Sequence, residues 1–454
     1  MRFLYSLITF LFMPMAFGHL LQRARRQPEY RHHWGERLGF APRMDGPTLW
    51  LHAVSVGETR AAAPLVEALL QRYPNHRLLL THTTPTGRAT GREVFSQHAG
   101  RIVQAYLPYD LPGAVARFLR RIQPDLGILM ETEIWPNLYA AAARRGIPLF
   151  LVNARMSAKS AAGYARLGHL TRVTLQHLTA IAAQTKADAA RLAELGADHI
   201  TVCGNLKFDV AAPADTAVRV AELRVLFGAR PIWVAASTRE SGSESEEAMI
   251  VDAWLQHEKS QEKSWSDPNL QHEKKKSGSD HDSFSSPLLV LIPRHPQRFD
   301  AVAALLATRG VRFVRRSAGQ PARADTQVVL GDSMGEMAAY FGAADLAFIG
   351  GSLLPLGGQN LIEAAATGCP ILIGPHSFNF AAATEAAVAA GAALRVADTD
   401  TLIQEVTALL ANPPRLEAMR VAGRAFAAQH RGATARSLGL LDTHLKAIPR
   451  SEGL

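Results

Sequence analysis

A chain of 454 residues is longer than one hydrophobic core usually grows, so two domains are expected; with 48% apolar and 20% charged residues it is neither mainly disordered nor collagen-like. One apolar run of near-spanning length excludes a multi-span membrane protein, and two cysteines, Cys203 and Cys369, exclude a disulfide framework and a four-cysteine zinc site. Lys and Arg outnumber Asp and Glu by 49 to 40, and the formal charge of +9 favours nucleic acid, anionic lipid or a phosphorylated substrate as partner.

Phe3 to Leu21 carries no Asp, Glu, Lys or Arg, close to the ~20 residues that cross a hydrocarbon core. Pro14, Gly18 and His19 interrupt it, and Arg23, Arg25 and Arg26 follow at once. That basic flank places the body in the cytoplasm, against anionic inner-membrane lipid. Residues 1–22 are expected to form a membrane-anchor helix, and both a span and a helix lying in the interface fit the pattern. No small-residue cleavage site precedes the arginines, which argues against a signal peptide.

Short apolar runs then alternate with Ala/Leu/Arg-rich helical stretches such as Ala61–Arg72 and Ala114–Arg121. The strand candidates of the first half are Thr48–Ala53, Leu78–Thr83, Ile102–Tyr106, Leu126–Met130, Leu149–Val152 and Ile181–Gln184. Those of the second are Pro231–Ala235, Leu288–Ile292, Val311–Val314, Val328–Leu330, Leu346–Gly350 and Pro370–Ile373. The alternation predicts α/β architecture: two doubly wound, Rossmann-like domains with parallel sheets and a cleft between them. Asp209–Thr216 reads as the linker, giving domains at 23–212 and 213–454. Residues 256–287 are polar, carry Leu-Gln-His-Glu-Lys twice, and are expected as a disordered insertion.

The chemistry-bearing motifs fall at strand exits, where open α/β sheets bind ligands. His52-Ala53-Val54-Ser55-Val56-Gly57-Glu58 ends a strand and opens a helix; Glu58 can serve as general base or complement the helix N-terminus. Thr84-Pro85-Thr86-Gly87 can hold an anion or sugar, or simply cap a helix. In Glu131-Thr132-Glu133-Ile134-Trp135-Pro136-Asn137 two carboxylates two apart point to opposite sides if extended, so one faces the cleft and Glu133 can cap the next helix. Asn153 to Ser157 offers polar groups at the same edge, and Lys207 can offset charge on a leaving phosphate or stand as a surface lysine. In the second half, Arg294 after Pro293 can pair a phosphate. The turns at Met334-Gly335-Glu336, Gly350-Gly351-Ser352 and Asn360-Leu361-Ile362-Glu363 offer open amides, helix ends and an acidic group for ribose. Together these indicate a nucleotide-sugar site. No Walker sequence, no Gly-x-Gly-x-x-Gly after the first strand, no Asp-x-Asp, no His/Cys cluster and no RNA or DNA module is visible.

Read in order with Trp34-Gly35-Glu36-Arg37, Leu107-Pro108-Tyr109-Asp110, Pro293 to Arg298, Gly357 to Glu363 and Gly374 to Phe380, these motifs resemble the 3-deoxy-D-manno-octulosonic acid (Kdo) transferases nearly end to end. The resemblance implies a GT-B glycosyltransferase that moves Kdo from CMP-Kdo to a lipid A precursor at the bacterial inner membrane, inverting the anomeric centre and releasing CMP. It implies no metal and no cofactor besides this donor substrate. Glu58 would be the proton acceptor, Glu131 and Lys207 the transition-state stabilisers. The CMP site would comprise Pro293, Arg294, Met334, Gly335, Glu336, Asn360, Leu361, Ile362 and Glu363. Gln359 stands where many members have His, and Leu356 where many have a charged residue. The alternative is another GT-B transferase using a UDP-sugar in glycolipid or envelope synthesis.

Overall fold

The computed structural model describes residues 1–25, 27–266 and 286–445. Two compact units emerge, one made of Met1–Ala211 and the segment beginning at His430, the other of Ala212–Gln429.

The first unit holds β1 (Thr48–His52), β2 (Arg77–His82), β3 (Ile102–Tyr106), β4 (Leu126–Met130), β5 (Leu149–Ala154), β6 (Ala180–Ala183) and β7 (Ile200–Val202). They form one parallel sheet in the order β3-β2-β1-β4-β5-β6-β7. Side chains alternate across a strand, so helices on both faces demand apolar residues at every position. Trp50, Leu79, Leu129 and Leu151 enter one core, while Leu49, Leu51, Leu80, Ile128 and Val152 enter the other.

The second unit repeats the plan. Its strands are β8 (Ile232–Thr238), a small hairpin of β9 (Glu240–Ser241) and β10 (Glu244–Ser245), β11 (Leu288–Pro293), β12 (Phe313–Arg315), β13 (Val328–Leu330), β14 (Leu346–Ile349), β15 (Ile371–Ile373) and β16 (Ala393–Arg395). The seven-stranded sheet runs β12-β13-β11-β8-β14-β15-β16, with every pair parallel.

Three expectations need correction. The stretch expected as one membrane-anchor helix is two helices, Arg2–Leu11 and Met13–Ala24, bent by 46°; no single helix among the described residues is long and apolar enough to cross a membrane. Pro14 in the first turn of the second helix lacks the N–H that would carry the first helix through. Phe3, Phe10, Leu11, Phe12 and Met15 stay exposed, while Ser6 donates to Asn137 Oδ1 (3.0 Å) and Tyr5 hydrogen-bonds the buried Asp110.

The close of the chain, expected within 213–454, belongs to the first unit. Ala433 and Leu441, on the helix Ala433–Leu445, fill that unit's core, and Asp209 accepts hydrogen bonds from the amides of Gly432 (2.7 Å) and Thr434 (2.6 Å). The insertion is partly helical: Glu246–Ser266 is one helix, because Ile250, Val251 and Trp254 bury one face of its first half. Residues 267–285 of the expected insertion lie outside the described residues.

Candidate active site

In each sheet the chain leaves its first strand in both directions, and the crevice for a ligand opens at the carboxyl ends on either side of that reversal. In the first unit those ends belong to β1 and β4. Glu58 follows β1 and Glu131 follows β4.

Ser55 caps the helix Val56–Arg72 and accepts the amide of Glu58 (3.4 Å). Glu58 folds back on this turn: Oε2 accepts the Val54 amide (2.8 Å) and Oε1 the Ser55 hydroxyl (3.2 Å). The carboxylate therefore complements the helix N-terminus and stands at the strand exit at once. Burial, with Glu131 and Glu133 nearby, pushes its pKa up to about 8. Thr84 caps the next helix, accepting the Gly87 amide (3.1 Å), and its hydroxyl donates to Val54 O (3.1 Å). Gly87 lies so close that a Cβ there would sit 3.0 Å from Val54 O. The Thr84–Gly87 turn thus braces the segment that carries Glu58.

Glu131 turns left-handed (φ 58°), ending the extended alternation that its sequence suggested. Its Oε1 meets Lys207 Nζ at 3.1 Å. Asn153, also left-handed (φ 55°), accepts the Leu206 amide (3.0 Å), and Asn205 accepts that of Lys207 (3.0 Å); the two asparagines set the 3₁₀ turn that presents the lysine. Glu133 does not cap the following helix. Its Oε2 accepts Trp135 Nε1 (2.8 Å) and lies 3.5 Å from His52 Nε2. Among the described residues no group of three or more His, Cys, Asp and Glu side chains could hold a metal ion.

In the second unit the reversal falls between β8 and β14. Ser237 is left-handed here (φ 58°), and a Cβ on Gly350 would lie 2.7 Å from Ser237 O. The backbone is strained and closely packed at this edge. Pro293 ends β11, and the next residue, Arg294, donates its amide to Thr238 O (2.9 Å) and Nε to Gln359 Oε1 (3.2 Å). Arg294 thereby stands with the 359–363 turn. Asn360 Oδ1 accepts the Ile362 amide (3.1 Å), Leu361 and Ile362 are buried in the core, and Glu363 is half-buried. Met334, Gly335 and Glu336 follow β13, two strands from β8. Met334 is exposed, Gly335 is left-handed (φ 79°), and Glu336 is buried against Arg316 (3.0 Å) and Arg219 (3.3 Å).

The expectation of open amides at Gly350–Ser352 is corrected. Glu246, fully buried, accepts the amides of Gly351 (2.6 Å), Leu353 (2.9 Å), Leu354 (3.4 Å) and Arg239 (3.0 Å). A carboxylate from 105 residues away already fills the cradle, a partner that no local pattern announces. Glu246→Gln, which sets an amide N–H₂ against these donors, is expected to cost ~1–3 kcal/mol, read as a lower urea midpoint.

The sequence profile described as "3-Deoxy-D-manno-octulosonic-acid transferase (kdotransferase)" matches residues 32–210. The 3-deoxy-D-manno-octulosonic acid transferase of Bordetella pertussis is 47% identical over 410 residues, 89% of each chain, and that of Haemophilus influenzae 36% identical over 98% of this chain and 99% of the relative. A solved glycosyltransferase from Rickettsia africae, 12% identical, shares the fold with a TM-score of 0.56 over 89% of this chain and 100% of its own. The protein is a glycosyltransferase enzyme. It belongs to the Kdo transferase family, and the group it transfers is Kdo.

Proposed function

We propose that the chain transfers Kdo from CMP-Kdo to a hydroxyl of a lipid A precursor, inverting the anomeric carbon and releasing CMP, as a GT-B enzyme at the cytoplasmic face of the inner membrane. The observation that carries the reading is Glu58: a half-buried carboxylate at a sheet reversal, held at both oxygens, with its pKa raised to about 8. Such a base is poised to accept a hydroxyl proton. Glu58 takes the proton of the acceptor hydroxyl, that oxygen bonds to the anomeric carbon, and the bond from that carbon to the CMP phosphate breaks with its electrons leaving on CMP. The sugar gains positive charge and the phosphate negative charge at the transition state. Glu131 can steady the first; Lys207 and Arg294 can stabilise the second. Met334 to Glu336 and Asn360 to Glu363 are assigned to CMP on the family resemblance. The exposed apolar side chains of the N-terminal helix pair, followed by Arg23 and Arg25, suit anionic lipid.

The test is a mass-spectrometric transfer assay. Purified full-length protein in detergent meets a lipid A precursor and freshly made CMP-Kdo, with EDTA present. Product heavier by one or more Kdo units is expected, with CMP and not UDP as the competing inhibitor. No product beside an active control enzyme would overturn the donor and acceptor assignment.

A further inference from the structure

His52, the last residue of β1, is fully buried. Its Nδ1 lies 3.0 Å from both the carbonyl and the hydroxyl oxygen of Thr81. A carbonyl only accepts, so Nδ1 carries the hydrogen. Nε2 makes no hydrogen bond among the described residues and faces Glu133 Oε2 at 3.5 Å. Trp135 Nε1 donates to that same oxygen, fixing it. A bare Nε2 lone pair set against a carboxylate oxygen repels; one proton between the two turns the contact attractive.

We propose that the buried His52 and the half-buried Glu133 form a dyad sharing one proton, and that the dyad acts on the transfer reaction as a pair of positioning residues behind Glu58. The inference rests on Glu58 being the base. After burial, Glu131 and, more weakly, Glu133 are carboxylates that hold Glu58 up, and Glu131 is already paired with Lys207. His82 from β2 sits beside His52, and burial holds its imidazole down at about 3, so it adds no charge. Tyr139 and Tyr164, whose hydroxyls burial holds above their usual range, also face Glu133 and bring it no positive charge. Of the two side chains that meet Glu133 Oε2, Trp135 and His52, His52 is the one that can bring a positive charge to temper it. Without His52, Glu133 stands uncompensated near Glu58. Without the Glu133 carboxylate, Glu58 loses a neighbour that favours its protonated form.

The two removals move Glu58 in opposite directions. Glu133→Gln should shift the alkaline-rising limb of kcat/KM to lower pH, and His52→Gln to higher pH, each by up to about one pH unit. A merely structural role lowers the rate at every pH and leaves the limb in place. The measurement is the pH profile of both variants with CMP-Kdo and a lipid A precursor. Alongside it, the Glu58 carboxyl is titrated by NMR in protein labelled with ¹³C-carboxyl glutamate, its signal assigned by its loss in Glu58→Gln. Opposite shifts in both readouts support the dyad. Shifts that are absent or in the same direction overturn it. Full turnover in Glu58→Gln would overturn the base assignment instead, and the titration separates that failure from failure of the dyad.

Discussion

Glu58→Gln should lower kcat/KM by ~10²–10⁴-fold, the usual loss when a positioned base is removed. Glutamine can keep one oxygen on the Val54 amide, so the cap on the helix Val56–Arg72 survives while the proton acceptor is gone. Binding of CMP should be unchanged, because the residues assigned to it belong to the other unit. The wild-type pH profile carries a second signature. A base with a pKa of about 8 is mostly protonated at pH 6 and mostly ionised at pH 9, so kcat/KM should climb with pH, pass half its maximum near pH ~8 and level off above pH ~9. A flat profile from pH 6 to 9, or a Glu58→Gln variant within tenfold of wild type, would sink the assignment.

Arg88→Met should destabilise the first unit by ~3–5 kcal/mol, the range for breaking a buried ion pair from one side. Arg88 reaches Glu36 through both terminal nitrogens, at 2.7 and 3.3 Å, and donates to Gln104 O at 3.2 Å. Both side chains are about one-tenth exposed. Glu36 also accepts the Tyr106 amide (2.8 Å), and the guanidinium groups of Arg37 and Arg88 lie over the Tyr106 ring at 4.2 and 4.9 Å. With Arg88 gone, Glu36 loses its two-pronged ion pair and keeps only the Tyr106 amide and His33, 3.3 Å away, beside its largely buried charge. The check is a urea titration of the variant and of Glu36→Gln/Arg88→Met. The single change should drop the midpoint sharply, and the double change should recover much of the loss because no lone charge stays buried. An unmoved midpoint in the single variant would refute the argument.

The central strands were legible because both faces of each sheet are covered, which writes a strand as an unbroken apolar run such as Leu126 to Met130. The edge strands β7 and β16 were not, because each is three residues long and largely uncovered on one side. The helix through 256–266 hid behind its polar composition; its anchors, Ile250, Val251 and Trp254, all precede that stretch. At the site, sequence order alone placed Glu58 and Glu131 at strand exits. It assumed an extended chain at Glu131 and so gave Glu133 a capping role, which the left-handed turn removes. The contacts of Glu133 with His52 and of Glu246 with the Gly351–Leu354 amides join residues 81 and more than 100 positions apart, and nothing local signals them.

The closing helix also bears on how the protein is made. The first unit's strands leave the ribosome well before Ala433 and Leu441, which its core requires. The whole second unit is synthesised in between, roughly ten seconds or more at ordinary rates. Until then the nascent first unit has an unfilled groove where the helix Ala433–Leu445 will lie, so the second unit is free to fold first although it is synthesised later. A nonsense mutation near codon 430 would thus spare the unit it adjoins and cripple the one encoded at the other end of the gene.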